Sequence, residues 1–114
     1  MRLKEAIKRA DQMRPNTISE ETKAGWLYEL EGRIAHVRHT PQPARVWPTD
    51  CALSMPPPYD YVYERYLCSM IDLANQETEL YMNDAAFFEQ TLADATAWWN
   101  RTHRPKPGKN WTVM

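Results

Sequence analysis

Glycine is scarce: three in 114 residues, at positions 25, 32 and 108. Neither G-x-G-x-x-G nor G-x-x-x-x-G-K-[ST] fits that spacing, which excludes the common dinucleotide and phosphate cradles in their usual forms. Two cysteines, Cys51 and Cys68, make neither a disulfide-rich framework nor a Cys-x-x-Cys pair, and a reducing cytoplasm suits them best. No apolar run approaches the roughly 18–20 residues of a membrane span, and residues 1–14 are amphipathic with no signal-peptide core. The sequence therefore predicts a protein that stays in the compartment where it is made, away from membranes. There is no internal repeat and no strand-like alternation.

What is present is globular. Hydrophobic residues at 43% can build one modest core, while 25% charged residues and a mean hydropathy of -0.71 call for a wetted surface. The net charge of -1 hides a segregation. Residues 1–14 hold five basic and two acidic side chains, residues 15–94 five and thirteen, and residues 95–114 four and none. The acidic middle repels the nucleic-acid backbone that the basic ends attract, and the pattern suits end-to-middle contact between copies of the chain.

Four periodic segments predict an all-α bundle. Leu3, Ala6, Ile7, Ala10 and Met13 recur at helical steps over 3–13, and Pro15 follows. Thr17 with Glu20 reads as a capping box, Ser19 as a rival N-cap, for a second helix over about 19–38 lined by Leu27, Leu30, Ile34 and Val37. Gly25 and Gly32 share a face of it, and each costs about 1 kcal/mol against Ala, so an aromatic ring or another helix is expected close by. Tyr59 to Asn75 forms a third helix through Val62, Tyr63, Tyr66, Leu67, Met70, Ile71 and Ala74. A fourth, over about 77–102, carries Leu80, Tyr81, Phe88, Leu92, Ala95 and Trp99. Neither Gly nor Pro divides the last two, yet a single helix of over 40 residues could hardly be buried by so small a domain, so a break is placed near Asn75 and Gln76.

Between the second and third helices, residues 41–58 contain six of the nine prolines. That rules out regular helix and predicts a long extended loop, pinned to the core by Val46, Trp47, Leu53 and Met55. The domain is thus predicted to run over 1–103. Residues 104–114 follow as an extended basic arm, because Pro105, Pro107 and Gly108 forbid helix there. Arg104, Lys106 and Lys109 charge the arm, and Trp111 and Val113 give its tip apolar area unsuited to a merely solvated tail.

Catalytic and cofactor-binding residues are not indicated, and the sequence predicts no enzyme. His36 and His39 form H-x-x-H, but further zinc ligands would have to come by chance from Asp50, Cys51 or Cys68, so no metal site is assigned. Glu20 with Glu21 and Glu77 with Glu79 lie where a wetted helix face puts charge. Cys68, between Leu67 and Met70, reads as a small buried hydrophobe. The first two helices superficially suit a helix-turn-helix, but Glu20, Glu21, Glu29 and Glu31 oppose nucleic acid. Trp98 and Trp99 are about 100° apart around the fourth helix, so one can enter the core while the other faces outward as an interface anchor.

Taken in chain order, Leu3-Lys-Glu-Ala-Ile-Lys-Arg-Ala-Asp11, Arg14-Pro-Asn-Thr17, Glu21-Thr-Lys-Ala-Gly-Trp-Leu-Tyr-Glu-Leu-Glu-Gly32, Met55-Pro-Pro-Pro-Tyr-Asp60 and Trp98-Trp99-Asn-Arg-Thr-His103 form a layout. It resembles small head-tail connector (adaptor, head-completion) proteins of tailed bacteriophages and prophages. The resemblance implies an all-α subunit, without enzymatic residues or cofactors, that forms a ring beneath the portal at the head vertex. It implies portal and tail-side connector proteins as partners, DNA at most passing through the ring, and residence in the bacterial host cytoplasm during assembly and then in the virion. It also implies that extended loops and the C-terminal segment touch neighbours, and residues 41–58 and 104–114 occupy those places in chain order.

The interaction residues expected from the charge pattern, the aromatic residues and the C-terminal arm are Trp47, Asp72, Glu77, Glu79, Asp84, Glu89, Trp98, Trp99, Arg101, Arg104, Lys106, Lys109, Trp111 and Val113; the resemblance itself maps no individual residue as a portal contact. Asp72 to Asp94 supplies the acidic side, with no Lys or Arg between. The alternative from another class is a small helical regulatory protein that binds nucleic acid through its basic helical pair.

Overall fold

A computed structural model describes residues 1–103. Four helices form a small all-α bundle: α1 Leu3–Met13, α2 Glu20–Arg38, α3 Val62–Ala74 and α4 Thr78–Thr102. Among the described residues there is no strand beyond one isolated antiparallel bridge, Arg2 with Ala52. No helix among them is long and apolar enough to cross a membrane.

Each boundary has a local cause. Ser19 caps α2, its hydroxyl accepting from the Thr22 N–H at 3.1 Å, so the rival cap prevails over Thr17. Helix α3 begins at Val62 and not Tyr59, because residues 56–61 turn first, with the Tyr59 N–H donating to the Pro56 carbonyl at 2.9 Å. The break between α3 and α4 falls at Asn75, Gln76 and Glu77, with Gln76 in the left-handed region at φ 60°. The chain reverses there: Tyr66 meets Phe88 with ring centroids 4.9 Å apart, and Tyr59 meets Trp98 at 5.4 Å, so α3 and α4 form an antiparallel hairpin.

The core is one cluster. Leu3, Ile7, Leu27, Leu30, Val62, Tyr63, Leu67 and Ile71 are essentially sealed from solvent, and each large apolar side chain so buried contributes about 1.5–3 kcal/mol. The stripe predicted on α2 holds except at Val37, which is exposed beyond the reach of the core. Of the two helical glycines, Gly32 faces the Gln42 side chain and not a ring or a helix, and an added Cβ would lie 2.8 Å from Gln42 Nε2. Nothing lies within 4 Å of the same point at Gly25, so no close packing explains that residue.

Three charged side chains are buried inside the bundle, each with partners from a distant element. Lys23 meets Asp11 at 2.7 Å and Asn16 at 3.0 Å, tying the start of α2 to the end of α1. Glu31 accepts from the Ser54 N–H at 2.9 Å, the Ser54 hydroxyl at 3.0 Å and the Tyr63 hydroxyl. Asp72 meets Arg14 at 3.1 Å.

The proline-rich segment is held by polar as well as apolar groups. Leu53 and Met55 are buried and Trp47 packs against the core, as predicted, whereas Val46 is exposed and attached through its N–H, which donates to Tyr28 Oη at 3.0 Å. The segment also serves α1. Asp50 takes the Lys4 N–H at 3.0 Å and Arg2 Nε at 3.0 Å, so the free N–H groups of α1 are satisfied from far along the chain. The Lys4 N–H above all, joined by Arg2, holds the Asp50 carboxyl below its ordinary range.

Candidate protein interaction site

Helix α4 is the least enclosed element. Of its 25 residues only Phe88, Thr91 and Ala95 are buried. The remainder leaves apolar side chains in solvent: Leu80, Met82 and Phe87 are 40%, 64% and 56% exposed, and Leu73 at the end of α3 is 52% exposed. Leu73, Met82 and Phe87 lie outside the predicted stripes, whereas Leu80 belongs to the stripe expected on the fourth helix and is nonetheless exposed, because the first turns of α4 extend past the core, which it enters only from Phe88 onward.

Beside the C-terminal half of α4 runs the second half of α2. The two approach through Arg33, which reaches Glu89 at 3.4 Å, and through Arg38, whose guanidinium lies 4.2 Å over the Trp99 ring. Between them opens a groove of about 470 Å³, with Ile34, Val37, Met55 and Leu92 among its apolar lining. His103 stacks on Trp99 with centroids 3.5 Å apart and planes 9° from parallel, and Arg38 also lies over that ring. Contacts of this kind contribute about 0.5–2 kcal/mol and fix the ring at the end of the groove. Arg38 has no carboxylate partner among the described residues; one Nη reaches Met55 Sδ at 3.1 Å.

The expected interaction residues separate into groups. Trp98 and Trp99 are both half-buried, so neither enters the core: Trp98 leans on Tyr59, and Trp99 lies against Arg38 and His103. Trp47 is half-buried under Lys4, 5.6 Å from its ring. Glu77, Glu79 and Arg101 are exposed, and Glu89 is exposed and paired with Arg33. Arg104, Lys106, Lys109, Trp111 and Val113 lie outside the described residues, as does the predicted arm.

Asp72 and Asp84 require correction. Asp72 is 1% exposed and Asp84 half-buried, and both are taken by Arg14 of the same subunit, at 3.1 and 2.9 Å. The attraction of the basic N-terminal stretch for the acidic middle is thus satisfied inside one chain at this point. Arg2 pairs with Asp50, and Arg9 with Glu5 and Glu64, which further depletes the positive field that a nucleic acid would need.

Burial first, then the neighbouring Asp84 carboxylate, push the Cys68 thiol up to about 12, so it stays a protonated apolar filler. His36 and His39 are exposed, and no group of three or more His, Cys, Asp or Glu among the described residues could hold a metal ion. No protein-family model, curated protein or solved structure matches this chain.

Proposed function

We propose that this chain is a non-enzymatic assembly subunit, a head-tail connector of a tailed bacteriophage or prophage, that forms a ring at the portal vertex and joins head to tail. The observation that carries the protein-binding part is α4: three buried residues in 25 leave a long helix with apolar side chains exposed on a subunit too small to cover them. The connector part is supported by the chain-order resemblance and by the all-α bundle, which agrees with what that resemblance implies. In this reading the partners are further copies of the chain, the portal and a tail-side protein, and the work is done in the host cytoplasm and in the virion.

The test is imaging by negative stain of the purified protein, alone and mixed with the portal of the same phage or prophage. Rings alone, or an added layer on portal particles, are the expected result. Bare portals beside free protein under all conditions would refute the connector reading.

A further inference from the structure

We propose that the acidic tip of the α3–α4 hairpin in one copy of this chain docks into the Arg-rimmed groove between α2 and α4 of the next copy. The contact deepens the connector reading and rests on it for closure into a ring.

The groove defines what it accepts. Its lining of Ile34, Val37, Met55 and Leu92 wants an apolar insert. Its rim carries surplus positive charge: Arg33 is paired with Glu89 only in the open, at 3.4 Å, and Arg38 has no carboxylate among the described residues. The Arg38 guanidinium sits 4.2 Å over the Trp99 ring with only one Nη bonded to Met55 Sδ, so its other N–H donors stay available to a carboxylate. The fitting occupant is therefore apolar with acidic side chains beside it.

The hairpin tip has that composition. Leu73, Leu80 and Met82 are exposed, Glu77 and Glu79 stand exposed among them, and no Lys or Arg occurs anywhere from 66 to 100. Asp72 and Asp84 are already engaged by Arg14, which leaves Glu77 and Glu79 as the acids of the tip without a salt-bridge partner among the described residues. The competing occupant within this chain, residues 104–114, carries Arg104, Lys106 and Lys109 and would bring like charge to Arg33 and Arg38.

Geometry makes the contact intermolecular. Leu80 and Thr96, one at the tip and one lining the groove, are sixteen residues apart on one continuous helix, about 24 Å at 1.5 Å per residue. Tip and groove of one copy cannot meet each other, but they can meet on successive copies. Unlike surfaces joined in this way repeat head to tail, giving a ring where the rotation closes and a filament where it does not.

Sedimentation velocity on the full chain tests this with two variants that fail on opposite faces. Leu80→Lys/Met82→Lys spoils the tip, and Ala93→Trp, at an exposed position lining the groove, fills it. Circular dichroism first verifies that both keep the wild-type helix content. Wild type is expected to self-associate, each variant alone to weaken association by about tenfold or more, and the equimolar mixture to stop at heterodimers, because only one intact tip and one intact groove remain. Wild type that stays monomeric up to about millimolar concentration, or a mixture no more associated than its components, overturns the contact. If deleting residues 104–114 abolishes association while the tip variant associates normally, the C-terminal segment fills the groove and the proposal is wrong. Portal binding by the same samples is scored separately: binding without self-association removes this contact and leaves the connector reading, and self-association of the expected pattern without binding does the reverse.

Discussion

Arg14, the residue that ends α1, donates from Nε to Oδ1 of Asp72 on the last full turn of α3 at 3.1 Å. Its Nη2 reaches across the hairpin to Oδ2 of Asp84 at 2.9 Å. One guanidinium thus joins three helices around two carboxylates. It cannot satisfy both acids in full, and the second oxygen of Asp72 is buried without a hydrogen-bond partner among the described residues. Burial first, and the Asp84 carboxylate beside it, push Asp72 up to about 7 against the attraction of Arg14.

This shift sets a pH dependence with a definite sign. In the unfolded chain the Asp72 carboxyl loses its proton near 3.8, whereas in the fold it keeps it to about 7. The folded state therefore binds more protons between those values, and the contribution of Asp72 to stability is fully present below 3.8 and lost as pH rises through about 7. Urea unfolding of wild type and Asp72→Asn across that window should show wild type losing stability relative to the variant as pH rises. A difference that stays flat, or grows in favour of wild type, contradicts the assignment.

Removing the cation should be worse than removing either acid. Arg14→Met leaves Asp72 and Asp84 facing each other in a poorly solvated corner, at a cost of about 3 kcal/mol at neutral pH. The loss should shrink in mild acid, where Asp72 is already protonated. Thermal melts at the two pH values check both the size and its direction.

A third prediction concerns the clasp on the proline-rich segment. Tyr63 Oη donates to Glu31 and accepts the Met55 N–H at 2.8 Å, and burial together with the Glu31 carboxylate raises the phenol far above its ordinary value, so it stays a donor throughout the working range. Tyr63→Phe keeps the ring but strands a buried N–H and weakens the hold on a buried carboxylate, which should cost about 1–3 kcal/mol. Amide exchange at Ser54 and Met55 should accelerate more than at α1 positions remote from the clasp. Uniform acceleration would mean that the clasp has no local role.

How much of this was legible depends on how far apart the causes lie in the chain. Helix positions followed from periodicity within 11–25 residues, and the break at Gln76 followed from what a small domain can bury. Pairings such as Arg14 with Asp72, or Glu31 with Ser54, join residues far apart in sequence, and no spacing rule selects them. A signal did exist. Leu27, Leu30, Glu31 and Ile34 fall at i, i+3, i+4 and i+7, which puts Glu31 squarely on the buried stripe, and Lys23 continues the same face four residues before Leu27. A charge inside an apolar stripe announces a buried pair but not its partner. The same ignorance of pairing turned the acidic middle into an expected belt for neighbours, when two of its members serve the fold.

Gly25 offers a gain in stability. An added Cβ meets nothing within 4 Å, its backbone is helical, and glycine in a helix interior costs about 1 kcal/mol against alanine. Gly25→Ala should therefore raise stability by about 0.5–1 kcal/mol, read as a higher urea midpoint. At Gly32 the same change must first displace the exposed Gln42 side chain, so its gain should be smaller. The reverse ranking would show that Gly25 is kept clear for something that docks on α2.

The final prediction separates folding from assembly at the C-terminus. The buried core ends at Ala95, and the stack of Trp99 with Arg38 and His103 is complete by residue 103. A chain truncated after His103 should accordingly fold with nearly unchanged melting. The removed segment carries Trp111 and Val113, whose burial against another subunit offers several kcal/mol, of which ordering eleven residues returns a large part. A net contribution of about 1–3 kcal/mol per subunit remains, so portal binding or ring formation should weaken by about one to two orders of magnitude. Titrating labelled portal with full-length and truncated chain measures this directly. If the truncated chain unfolds, the segment belongs to the subunit's own core; if it binds and assembles like the full chain, residues 104–114 have no connecting role.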